Sequence, residues 1–220
     1  MNTLIAGGAG FIGLNLAEAI LRDGAHVVIY DPGAVPGAAQ HTFDELPGSW
    51  CHIQESVIDS EAVASTLTEQ RIEQVFYGAA VTSGPERERD SPESVLSVNL
   101  VGLATMAQLA AKTGIRRLIN LSSGSAYGLP DGEKSDWPPT LHEEHTRERP
   151  VSLYALSKFA TEITTRRIAA LTGLDALSVR LSSIFGPWER DTGFRDTLSA
   201  PLQASVAAQC GEPVILERHE

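Results

Sequence analysis

At 220 residues and 42% hydrophobic, the chain can bury one sizeable core but not two ordinary ones. Its 17 basic and 28 acidic residues give a net charge of −11 with histidine neutral, so the average surface repels nucleic acid and anionic membranes. A small phosphorylated ligand is still compatible with that charge, because backbone N–H groups at a helix N-terminus can hold it.

Cys51 and Cys210 form no CxxC pair, and the N-terminal MNTLIAGGAGFIG has no basic n-region of a signal peptide. No run approaches the roughly 20 apolar residues of a membrane span. A soluble, cytoplasmic protein is expected.

Short β-branched or apolar runs alternate with stretches of helical period, the pattern of a parallel sheet covered by helices. A first strand at Thr3 to Ala6 leads into a helix from about Gly10 to Arg22 that stops at Gly24. A second strand runs from His26 to Tyr30, and Pro32 to Ser49 reads as a loop from its Gly, Pro and polar residues. Strands at Cys51 to Ile53 and Gln74 to Tyr77 follow, then Glu86-Arg87-Glu88-Arg89-Asp90, which reads as a solvated loop whose charges cancel. Ser91-Pro92 opens a helix that ends at Gly114, and Arg117 to Leu121 is a fifth strand. After a second loop, Leu129 to Pro150, come a helix at about Leu153 to Leu171 with Gly173 as its stop and a strand at Ala176 to Leu181. Val214 to Leu216 reads as one more strand. Loops this long in a compact α/β unit usually border a ligand cleft.

Gly7, Gly10 and Gly13 lie between the first strand and the first helix as GxxGxxG. Such a turn needs a tight bend, a backbone without Cβ where a diphosphate approaches, and close helix-to-strand packing. Asp31 ends the second strand, where a carboxylate can accept hydrogen bonds from adenosine ribose hydroxyls and repel a 2′-phosphate, which favours NAD over NADP. The plain alternative is a surface-turn aspartate before Pro32. Asp59, after Val57-Ile58, either caps the next helix or touches adenine.

Tyr154 and Lys158 form YxxxK within a helix, and the i,i+4 spacing puts both on one face. A phenol of ordinary pKa ~10 becomes a usable acid–base group at neutral pH when positive charge nearby stabilises the phenolate. Ser123 follows the fifth strand, at the carboxyl end where open α/β sheets place ligands, and its hydroxyl can hold a substrate oxygen beside Tyr154. Chance YxxxK in an amphipathic helix and a simple polar turn at Ser122 to Ser125 are the bland alternatives.

In order and spacing, GGAGFIG, YGAA at Tyr77 to Ala80, Asn99 in SVNLVG, LSSGSAYG, YALSK and RLSSIFGP at Arg180 to Pro187 resemble the extended short-chain dehydrogenases/reductases. These are the NAD-dependent epimerase/dehydratase family, which includes UDP-glucose/galactose 4-epimerase-like proteins. The resemblance covers the whole chain. It implies Ser123, Tyr154 and Lys158 as catalytic residues and NAD as cofactor. It also implies Gly7, Gly10, Phe11, Ile12, Gly13, Asp31, Asp59, Ala79 and Asn99 as cofactor contacts, together with Tyr154 and Lys158. Asn99 would support Lys158 through hydrogen bonds.

In dTDP-glucose 4,6-dehydratases an Asp-Glu pair follows the position of Ser123; Gly124 and Ser125 stand there here, so sugar dehydration is not expected. Ser183 replaces an Asn that helps many nucleotide-sugar enzymes hold substrate phosphates. HEEH at His142 to His145 lacks the helical spacing of a zinc site, and no metal is expected. Trp188-Glu189-Arg190-Asp191 either borders the substrate cleft or is a solvated loop.

The expectation is a Rossmann-type doubly wound parallel sheet over residues 1–187 and the start of a substrate-binding region over 188–220. The C-terminal substrate lobe would then be largely missing from this chain, which should bind NAD but turn over slowly. The leading function is oxidation at a sugar or nucleotide-sugar carbinol, transient in an epimerase and net in a dehydrogenase. A dehydrogenase of a polyol or uronate and a non-catalytic NAD-sensing module are the rivals. A homodimer is expected from the resemblance.

Overall fold

In a computed structural model, residues 1–128, 140–193 and 198–213 are described. Alternating apolar side chains form strands whose two faces are both buried: Leu4 and Ala6 of the first strand enter one core layer and Ile5 the other. The strands are β1 (Asn2–Ala6), β2 (His26–Tyr30), β3 (Ser49–Ile53), β4 (Gln74–Tyr77), β5 (Arg117–Ser123) and β6 (Ala176–Leu181). They form one parallel sheet of order β3-β2-β1-β4-β5-β6. The order reverses between β1 and β4, the point where doubly wound sheets open a ligand crevice at the strands' carboxyl ends.

Helices α1 (Phe11–Arg22) and α2 (Gly37–Asp44) carry Leu14, Ala17, Leu21 and Phe43 to the Ile5 face. Helix α3 (Ser60–Glu69) covers the other face with Val63 and Leu67. Helix α2 corrects the expectation of a loop over Pro32 to Ser49. Ala39 and Phe43, four residues apart, are fully buried and anchor it.

The charge run expected to be a solvated loop is instead the short helix α4 (Pro85–Asp90). A longer helix follows in three continuous parts: α5 (Pro92–Leu96), a π-helical turn (Ser97–Val101) and α6 (Gly102–Thr113). Its 22 residues are long and apolar enough to cross a membrane by length and composition, contrary to the sequence reading. Here Val95, Leu103, Met106 and Ala110 are buried against the protein's own core.

A 3₁₀ turn (Gly124–Tyr127) follows β5, and helix α7 (Leu153–Thr172) precedes β6. The last described helix is α8 (Ala200–Cys210). The expected strand at Val214 to Leu216 and residues 129–139 of the second loop lie outside the described residues.

Helix α7 buries a polar stripe, Ser157, Lys158, Thr161, Glu162 and Thr165, while Leu156 and Ile163 are exposed. The sheet answers with polar residues at period two. Asn120 donates to Thr161 Oγ1 and Ser178 Oγ, both at 3.0 Å, and Ser122 donates to Glu162 Oε1 at 2.6 Å. Arg180 closes the set with bonds of 2.9 and 2.7 Å to Glu162 and 2.6 Å to Glu148. A buried carboxylate is tolerable only when paired and hydrogen-bonded in this way. Beside Arg180, the Glu148 carboxyl is held below the usual carboxylate range despite its partial burial.

Candidate active site

Gly7 leaves β1 with φ +76°, and a Cβ there would lie 2.7 Å from Ala79 N. The turn therefore passes directly over the end of β4, a contact that only glycine permits. At Gly13 a Cβ would come within 2.4 Å of Gly7 O, so α1 starts pressed against the turn. The N-terminus of α1 has no side-chain cap and no acidic residue in its first turn, which leaves its positive end available to an anion.

Two cavities flank this turn. One, of about 300 Å³, is bordered by Asp31, Gly33, Ser56 and Ala79; the other, of about 480 Å³, by Phe11, Ile12, Gly13, Ser123, Tyr154 and Lys158. Gly7, Gly10 and Arg190 border both. The glycine turn, the Asp31 carboxylate and the Tyr–Lys pair thus line adjoining cavities at the topological switch point. A cradle that any Cβ would fill, beside an acid-free helix start, fits a dinucleotide diphosphate.

The Asp31 carboxylate accepts from Ala9 N–H at 3.1 Å and Gly33 N–H at 2.7 Å. Burial pushes its pKa up, opposed by those two bonds and by the charges of His52 and Arg190. Asp59, the other carboxylate expected near the cofactor, serves the capping alternative. Its Oδ1 accepts from Glu61 and Ala62 N–H, both at 3.0 Å, capping α3, and it borders neither cavity.

Lys158 is 4% exposed and donates to Leu121 O at 2.8 Å. Desolvation lowers its pKa to about 8. Its Nζ lies 5.8 Å from the centroid of the Tyr154 ring. Ser123 Oγ accepts from Ser125 N–H at 3.1 Å and the Ser125 hydroxyl at 2.9 Å, so its own O–H remains to donate toward the cleft.

Asn99 does not border either cavity and stands behind them as a support. Carried on the π-helical turn and 1% exposed, it spends its amide on Val81 N–H (2.8 Å), Val81 O (3.1 Å) and Ser157 Oγ (2.9 Å). Ser157 in turn donates to Tyr154 O at 2.7 Å. Asn99 therefore braces the Tyr154 turn of α7. Single π turns within longer helices often mark such functional positions.

One contributor escaped the sequence reading. Glu88 Oε1 accepts from Leu153 N–H at 2.8 Å, Tyr154 N–H at 3.4 Å and the Ser83 hydroxyl at 3.2 Å. An acid in an alternating charge run carries no local sign of that partnership. The segment at Trp188 to Arg190, for which the sequence left two readings open, takes the first of them: Trp188 packs on α1, and Arg190 borders the cleft.

The profile of the NAD dependent epimerase/dehydratase family matches residues 3–216. The chain belongs to that family. It is of the extended short-chain dehydrogenase/reductase type, and the family is described as NAD dependent. The chain is 31% identical over 210 residues to a UDP-glucose 4-epimerase of Mycolicibacterium smegmatis, covering 95% of this chain and 64% of that protein. A probable UDP-glucuronate 4-epimerase of Rhizobium meliloti is 26% identical, with 86% of this chain and 55% of that one covered. Among solved structures, the UDP-glucose 4-epimerase of Thermotoga maritima with UDP-glucose superposes with a TM-score of 0.82 at 26% identity, covering 100% of this chain and 67% of that one. The Thermus thermophilus UDP-glucose 4-epimerase complex with NAD gives 0.76 at 27%, covering 97% and 64%. The chain thus spans 55–64% of the length of these two curated relatives.

Proposed function

We propose that this chain is the NAD-binding, catalytic part of a nucleotide-sugar epimerase in which Tyr154 moves the proton of a sugar hydroxyl. The observation that carries the reading is the gathering of Ser123, Tyr154 and Lys158 along one cavity that continues into the glycine turn. Residues of that turn hold the diphosphate, Asp31 the adenosine ribose, and Tyr154 and Lys158 the nicotinamide end. NAD, when bound, supplies the acceptor for a hydride from the substrate carbon and the donor for its return to the opposite face.

Ser123 donates a hydrogen bond to the substrate oxygen and holds it within reach of Tyr154. The Tyr154 phenolate takes the hydroxyl proton and gives it back when the ketone is reduced. The Lys158 ammonium stabilises that phenolate by its positive charge. Gly124 and Ser125 supply no acid–base pair for dehydration.

On this reading residues 1–187 form the NAD domain and 188–220 belong to the substrate-binding region. The relatives' names favour a UDP-sugar substrate. The same reading gives a cytoplasmic homodimer.

The test is to incubate the chain, and a version extended by any downstream coding sequence, with NAD and a panel of UDP-sugars, uronates and polyols. NADH absorbance and product stereochemistry are followed together. Epimer formation without net NADH is expected, faster in the longer protein. Stoichiometric NADH from a polyol or uronate would instead establish a dehydrogenase. Tyr154→Phe should bind NAD nearly as well as wild type and lose ~100-fold or more in turnover; near-normal turnover would show that another group moves the proton.

A further inference from the structure

The segment after β6 doubles back onto the first β-α-β unit. Asn15 on α1 donates to Pro187 O at 2.7 Å, and the Trp188 indole donates to Glu18 Oε2 at 2.7 Å. The Trp188 ring also meets Phe43 edge-on, 6.3 Å between centroids. Trp188 holds φ +67°, a region that a side chain disfavours, so these contacts impose a backbone the segment would not choose alone. That backbone delivers Arg190 to the glycine turn, where Nη2 donates to Ala9 O at 2.7 Å.

The other guanidinium nitrogen is the informative one. Arg190 Nη1 is buried and has no hydrogen-bond partner among the described residues. Buried donors are normally satisfied, and one left open at a cleft is waiting for an acceptor that a ligand brings. Arg190 borders both cavities, and with Lys158 it is one of the two cations among the described residues that line them. It stands at their junction beside Gly7 and Gly10. On a chain of net charge −11, that is a local cation placed against the general field.

We propose that Arg190 is a cofactor-binding residue that hydrogen-bonds the bridging diphosphate of the dinucleotide, adding a side-chain donor beside the N–H groups of the glycine turn. This rests on the reading of the cleft as the NAD site. The planar guanidinium suits phosphate oxygens, and Nη1 can reach them while Nη2 stays on Ala9 O. A 2′-phosphate is the other anion such a group could take, but the neighbouring Asp31 carboxylate repels it.

The proposal is tested by calorimetry on the wild type, Arg190→Gln and Arg190→Lys with NAD, ADP-ribose, adenosine and NADP, at two salt concentrations, with the melting temperature of each ligand-free protein recorded. Arg190→Gln should weaken NAD and ADP-ribose by ~10-fold or more, the range for a hydrogen bond to a charged group, and adenosine by less than ~2-fold. Its NAD affinity should also depend less on salt. The lysine variant, which keeps the charge and loses the fork, should fall between; if the glutamine variant does not fold, the lysine variant carries the same comparison. Equal losses for adenosine and ADP-ribose would show that Arg190 only braces the turn through Ala9 and would overturn the proposal. So would unchanged affinity for every phosphate ligand, or a loss confined to NADP. Failure of the wild type to bind NAD or ADP-ribose would instead overturn the reading of the cleft.

Discussion

Replacing Glu88 by Ala should destabilise the protein from a site that carries no core contact. Leu153 and Tyr154 are the first two residues of α7, whose opening N–H groups have no partner within the helix. Ser152 Oγ takes the N–H of Ala155, and Glu88 Oε1 takes those of Leu153 and Tyr154. Loss of a capping acceptor costs ~0.5–2 kcal/mol, and loss of a half-buried negative charge at a helix N-terminus a further ~0.3–1 kcal/mol. For a chain of this size each kcal/mol lowers Tm by ~2–4 °C, so Glu88→Ala should melt roughly 2–12 °C below wild type.

Glu88→Gln keeps an acceptor and forfeits only the charge, so its loss should sit near the lower end. Glu86→Ala, exposed on the same short helix, should stay within ~0.5 kcal/mol of wild type. Because Tyr154 is the second residue of the capped turn, turnover should fall in Glu88→Ala with little change in NAD affinity. Calorimetric melting of the three variants is the assay. If Glu88→Ala melts with Glu86→Ala, the carboxylate does not cap α7 in solution, and its role in placing Tyr154 fails with it.

Three further outcomes are expected. Lys158 has a pKa of about 8 when folded against 10.5 unfolded, so its charged form is penalised in the cofactor-free native state. The unfolded chain then holds more protons between those values, and stability should rise from pH 8 to 10.5 by up to ~3 kcal/mol; Lys158→Met should lose that rise, and equal pH slopes in denaturant titrations would contradict the burial argument. Gly13→Ala puts a methyl 2.4 Å from Gly7 O and 2.6 Å from Gly8 Cα, backbone atoms that cannot rotate away. It should cost ~1–3 kcal/mol and weaken NAD binding, whereas Gly37→Ala, with nothing within 4 Å, should not; comparable Tm values for the two variants would refute the packing claim. Asp31→Asn removes the charge that disfavours a 2′-phosphate, so calorimetry should find NADP binding closer to NAD than in the wild type; an unchanged preference would mean that other groups set it.

How much of this was readable from the chain alone divides along physical lines. Residue order by itself determined the strand periods, the glycine turn at Gly7 to Gly13, the aspartate after β2 and the shared face of Tyr154 and Lys158. Each of these is set by dihedral preference or by repeats spanning a few residues. It did not reveal α2, although Ala39 and Phe43 carried a helical spacing among the loop-forming glycines and prolines.

Nor could it show that α7 turns polar residues inward. Solvent-facing and sheet-facing polar stripes look alike until Asn120, Ser122, Ser178 and Arg180 are brought opposite them. The cap of Glu88 on Leu153 joins residues 65 apart, and the bond of Arg190 to Ala9 joins residues 181 apart. The cap that Asp59 makes on Glu61 and Ala62 was one of two local readings, and Asn99 found its partners only after the π-helical turn set it between Val81 and Ser157. Local periodicity constrains the backbone of one segment, whereas a partner distant in sequence is selected by how the packed layers bring segments together, so those contacts were decided by the tertiary structure alone.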